Sequence, residues 1–109
     1  MLEKRKFVRL KAPIGVTYKL IKKHRKQRSH SSFIEDLSAG GLSLTVKEDL
    51  RQGDLLEMTI QIPHLREAVQ AIGEVAWIFP SRKIGVRFRD VESSDLKHVL
   101  EYIHAVGIG

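Results

Sequence analysis

No cysteine occurs among the 109 residues, which excludes a disulfide scaffold, a thiol nucleophile and a cysteine-ligated zinc or iron–sulfur site. Aromatic residues are scarce at 6%, and apolar residues as a whole, at 42%, suffice for one core and not for two. The longest unbroken apolar run, Val75 to Phe79, falls far short of the roughly 20 residues a membrane-spanning helix needs. Met1 to Lys11 is studded with charge and offers no apolar stretch for a secretory signal. No repeat, low-complexity tract or linker-like change of composition interrupts the chain. The expectation is a single soluble, cytoplasmic domain.

Acidic residues are nearly missing from the first third. Residues 1–30 hold eleven of the 19 lysines and arginines against one acid, Glu3, while the remainder holds eight basic and twelve acidic residues. A basic front on a mildly acidic body suits an anionic partner, most often a phosphate, although a solvated basic arm explains the charge equally well. The basic stretch Lys22 to Arg28 fits an exposed hairpin tip or a patch that docks a partner.

Strand-like alternation dominates what is present. Ile14, Val16, Tyr18 and Leu20 alternate with smaller or polar residues, as do Leu56, Met58, Ile60 and Ile62. Short strands are expected over Ser31 to Asp36 and Gly41 to Val46, a turn at Gln52-Gly53-Asp54, and a longer strand over Val69 to Phe79. Pro80 to Lys83 then turns the chain into a strand from Ile84 to Phe88. Leu96, Val99, Leu100 and Ile103 switch to helical spacing, with Ser93 or Ser94 to cap and Asp95 in the first turn. Six strands with no helix between them, then one helix, predict a mainly β (α+β) fold. It is a six-stranded antiparallel small β-barrel with a C-terminal α-helix and a flexible basic N-terminal arm. The arm is placed at residues 1–12 and the barrel with its helix at residues 13–109.

Catalysis finds little support. Ser38 has no histidine near it in sequence, and the five histidines (His24, His30, His64, His98, His104) show none of the short spacings of a zinc site. No glycine-rich phosphate loop followed by Lys-Ser/Thr occurs. No catalytic residue, metal ligand or cofactor is therefore assigned, and the chain is not expected to be an enzyme.

Two short constellations remain. Arg5-Lys6-Phe7-Val8-Arg9 is an R-x-x-x-R run whose arginines, in an extended segment, point the same way about 13 Å apart. Each guanidinium can meet a phosphate, or the O6/N7 edge of guanine, with two hydrogen bonds. Asp36-Leu37-Ser38-Ala39-Gly40-Gly41 reads D-x-S-x-x-G. Ionised aspartate only accepts, so it complements the N1–H and N2–H donors of guanine; Ser38 adds a hydroxyl, and the glycines allow close approach. Taken alone, the arm is also a plain basic tail anchored by Phe7, and the hexapeptide is also a hairpin turn whose Asp36 or Ser38 bonds its own backbone.

Together the two complement one nucleotide, and here the sequence resembles the PilZ family of bacterial cyclic di-GMP receptors. Arg5 and Arg9 look like that family's arginine switch, and Asp36, Ser38 and Gly41 like its [D/N]-x-S-x-x-G motif. Gly73 to Trp77 and Ile84 to Phe88 are similar to its last two strands. The resemblance implies that Arg5 and Arg9 clamp phosphates and guanine O6/N7, that Asp36 and Ser38 read the other guanine edge, and that Gly41 keeps the strand start clear. Lys4, just before the motif, bears on whether one ligand or a stacked pair binds. Gly40 is a further candidate, and so is Trp77 as a stacking surface, although its alternation with Val75 and Phe79 predicts a core tryptophan. The expected function is a receptor in which cyclic di-GMP orders a mobile arm over the barrel. The altered surface then meets a protein effector controlling motility, attachment or exopolysaccharide output. A nucleic-acid-binding small barrel is the alternative, opposed by the core-facing positions expected for Phe7, Phe33, Phe88 and Tyr18. A ligand-free adaptor of the same fold is the other, opposed by the intact motif residues.

Overall fold

Alternating apolar residues close six strands into one antiparallel barrel in a computed structural model that describes residues 8–22, 27–63 and 65–107. Of these, residues 8–13 and 106–107 are described by their backbone alone. The strands are β1 (Val8–Leu20), β2 (His30–Leu37), β3 (Gly41–Thr45), β4 (Leu55–Ile60), β5 (Val69–Ile78) and β6 (Lys83–Val91), and α1 (Ser93–Gly107) follows. Around the barrel they run β1-β2-β3-β6-β5-β4, each antiparallel to its neighbours, so no strand edge is left open. Inward positions pack Ile14, Ile34, Leu44, Met58, Val75 and Val86 into the core. Each such side chain contributes about 1.5–3 kcal/mol when withdrawn from water.

β1 begins at Val8, so residues 8–12 of the expected arm belong to a strand, with Val8 opposite Leu37 and Arg9 opposite Asp36. The register between β1 and β2 shifts between Arg9 and Ile14, around Pro13, which has no N–H to give the ladder. The expected turn at residues 52–54 forms, with Gly53 at φ 96° and the Asp54 N–H donating to the Arg51 carbonyl.

α1 packs against β1 and β5 and buries Val99, with Leu96, Tyr102 and Ile103 half-buried beside it. Leu100, expected on the apolar stripe, is exposed; Tyr102 takes that place. In the first turn Asp95 accepts a hydrogen bond from the Gln70 N–H, which ties the helix to β5. Among the described residues no helix is long and apolar enough to cross a membrane.

Candidate functional site

The β2–β3 turn is built by one side chain. Ser38, 3% exposed, accepts hydrogen bonds at Oγ from the N–H groups of Gly40 and Gly41, both at 3.1 Å, and its hydroxyl lies 3.3 Å from the Gly41 carbonyl. Its own N–H donates to that carbonyl, and the Phe88 N–H donates to the carbonyl of Gly40. The turn is thus bolted to β6, and the Ser38 hydroxyl is engaged within it. Gly41 answers to packing of the same kind: a Cβ there would stand 1.9 Å from the Val86 carbonyl oxygen. Its missing side chain lets β3 and β6 approach.

Two bulges aim the neighbouring side chains. Ile34 pairs with Leu44 and Asp36 with Ser43, so β2 carries an extra residue at Glu35. Without it, Asp36 would share the inward face of Ile34; with it, Asp36 turns outward and Leu37 enters the core. The Asp36 carboxylate accepts from Ser43 Oγ at 2.9 Å and lies 3.5 Å from Lys83 Nζ. In β5 a register shift between Val75 and Trp77 buries both Val75 and Ala76.

That second bulge corrects the expectation for Trp77, which is 47% exposed rather than in the core. Its indole lies against Gly85, where a Cβ would meet Cε3 at 2.4 Å, and the Arg87 guanidinium is 6.0 Å from the ring centroid. Phe33 is corrected likewise: it is 61% exposed, although Tyr18 is buried and Phe88 packs on the core as expected. Phe7 lies outside the described residues.

An open pocket of about 610 Å³ lies over this region, lined by residues 38–41, Trp77, Val86 and Arg87. Register then joins the parts. Arg9 pairs with Asp36, Asp36 with Ser43, Ser43 with Gly85, and Gly85 with Trp77, so one rung crosses β1, β2, β3, β6 and β5. Asp36 and Trp77 are three strand spacings apart on it, about 14 Å along the sheet. Of the residues singled out in the sequence, Ser38, Gly40, Gly41 and Trp77 line the pocket, while Asp36 stands on the rung beside it. Arg9 is described by its backbone only, and Lys4 and Arg5 lie outside the described residues, as do residues 23–26 of the basic loop. Arg87, Ser43 and Lys83 escaped sequence reasoning. Nothing local in the sequence says that β6 lies beside the β2–β3 turn.

A family model described as PilZ domain matches residues 3–105. The chain belongs to the PilZ domain family. PilZ domains are non-enzymatic receptors for cyclic di-GMP. Among solved structures, this PilZ domain is similar to the Bacillus subtilis inhibitor of motility MotI/DgrA, with TM-score 0.75 and 19% identity over 95% of this chain and 51% of that one. It therefore spans about half the length of that protein. It is also similar to the PilZ domain with c-di-GMP of YcgR from Escherichia coli, at TM-score 0.66 and 13% identity over 95% and 92% of the two chains. The PilZ domain of CeSA from a cellulose-synthesizing bacterium gives TM-score 0.64 and 13% identity over 90% and 96%. At these identities the likeness is one of fold. No curated protein matches the sequence.

Proposed function

We propose that this PilZ domain binds cyclic di-GMP over the β2–β3 turn and passes the signal to a protein partner. The observation that carries the reading is the single rung of Arg9, Asp36, Ser43, Gly85 and Trp77, which runs beside the pocket. Asp36 accepts from guanine N1–H and N2–H, and Arg5 and Arg9 address the phosphates and the O6/N7 edge. Trp77 supplies a face for stacking, Arg87 a further cation beside it, and Ser38 with Gly41 shapes the turn beneath the ligand. Lys4, immediately before the arginine motif, and Gly40, in the pocket wall, bear on how many ligands fit. Ligand draws the segment ahead of β1 over the pocket, and the closed surface is what the partner reads. The outputs considered are motility, attachment and exopolysaccharide production; the Bacillus subtilis structure above is named an inhibitor of motility.

Isothermal titration tests this with cyclic di-GMP and, as controls, cyclic di-AMP, GTP and single-stranded RNA. Cyclic di-GMP alone should bind tightly, and Arg5→Ala, Arg9→Ala and Asp36→Ala should each abolish binding in a protein that still melts cooperatively. Wild-type affinity in all three variants refutes the site. Binding of RNA with a steep salt dependence, and no response to cyclic di-GMP, returns the reading to a nucleic-acid-binding barrel.

A further inference from the structure

The bulge in β2 puts two consecutive carboxylates, Glu35 and Asp36, outside the core. Like charges so close repel, and a dianionic ligand arriving beside them would add to the repulsion. Lys83 stands between them, its Nζ 3.3 Å from Glu35 Oε1 and 3.5 Å from Asp36 Oδ2. Glu35 is held further by the Thr45 hydroxyl, which donates to its Oε2 at 2.8 Å. Ser43, 7% exposed, donates its hydroxyl to the same Asp36 oxygen that Lys83 approaches. These two donors come from different strands, β3 and β6, and meet at Asp36 Oδ2, so both resist rotation of the carboxylate.

We propose that Ser43 and Lys83 are positioning residues that hold the Asp36 carboxylate in the orientation from which it selects guanine. The inference rests on the cyclic di-GMP reading above and names what gives Asp36 its selectivity. Guanine offers N1–H and N2–H as two parallel donors in one plane, and a carboxylate answers both only when it is coplanar with them. A carboxylate free to rotate still attracts N1–H but loses the paired contact. Ser43 and Lys83 therefore act on the distinction between guanine and a purine without the 2-amino group, beyond any effect on affinity.

The experiment compares cyclic di-GMP with cyclic di-inosine monophosphate, which keeps the phosphates, O6, N7 and N1–H and lacks only the 2-amino group. Wild-type protein should prefer the guanine ligand. Ser43→Ala and Lys83→Met should each weaken cyclic di-GMP binding about ten- to hundredfold, as expected for a hydrogen bond to a charged group. Both should narrow the guanine-to-inosine preference, while Ser43→Thr, which keeps the hydroxyl, and Lys83→Arg, which keeps the charge, should preserve it. In an Asp36→Asn background the Ser43→Ala effect should shrink to less than about twofold, because both then act through one group. Thermal melting of each variant separates selectivity from loss of fold. An unchanged preference in Ser43→Ala and Lys83→Met, or a loss that persists in Asp36→Asn, overturns the positioning role and leaves the receptor reading standing. Failure of wild-type protein to bind cyclic di-GMP overturns the receptor reading, and the positioning role falls with it.

Discussion

Ser38 and Gly41 show how residues of one motif are spent on building the turn itself. The Ser38 oxygen serves two backbone donors in a turn shielded from water. Ser38→Ala strands both, and should cost about 1–3 kcal/mol in urea unfolding with the denaturant slope unchanged. Gly41→Ala drives a Cβ into the Val86 carbonyl and should cost at least that much, or prevent folding, because β3 and β6 cannot separate inside a closed barrel. Gly40→Ala is the contrasting case. The nearest atom to its Cβ is Ser38 Oγ at 3.9 Å, so stability should change by less than about 0.5 kcal/mol. Because Gly40 lines the pocket, cyclic di-GMP affinity is the quantity expected to fall. The spacing of the motif was visible in the sequence, but its division of labour was not: Gly41 needs to be a glycine because of Val86, 45 positions away.

At the scale of strands, the bulges decide the site. Alternation is a local pattern with period two, and one inserted residue inverts it for everything that follows. Val75 and Phe79 therefore misplaced Trp77, and the extra residue at Ala76 brought the indole out over Gly85. Gly85→Ala should push the indole off its seat. Trp77 is the single tryptophan, so its fluorescence reports this directly: the emission maximum and intensity should change, and cyclic di-GMP affinity should drop. Gly15→Ala, with nothing within 4 Å of the new Cβ, is the control that should leave both as they were.

Across the whole barrel, a second polar cluster braces the strand ends. The Tyr18 hydroxyl donates to Glu48 Oε1 at 2.6 Å, and His30 Nδ1 lies 2.6 Å from Glu48 Oε2, which ties β1 and the start of β2 to the segment after β3. Burial pushes the Tyr18 hydroxyl well above the ordinary tyrosine value of 10.0, and the bond to Glu48 and its negative charge push the same way. A hydroxyl that ionises later in the folded than in the unfolded chain contributes stability that is complete below pH 10 and declines as the pH rises beyond it. Denaturation midpoints measured from pH 8 to 11 should therefore fall above about pH 10. Tyr18→Phe should start from a lower midpoint, having lost the bond to Glu48, and decline less steeply.

Fold class, the six strands and the helix followed from side-chain periodicity, because alternation and the 3.6-residue stripe are imposed by each segment on its own neighbours. The D-x-S-x-x-G turn and the family resemblance were equally legible, since a turn is closed by residues within a few positions of one another. Register was not. Which residue of β6 faces Ser43, and whether Trp77 points in or out, depend on contacts between segments far apart in sequence and on two single-residue bulges with no local signature. The rung that brings Arg9, Asp36, Ser43, Gly85 and Trp77 into line exists only once β1, β2, β3, β6 and β5 pair in register, because those pairings join segments far apart in sequence.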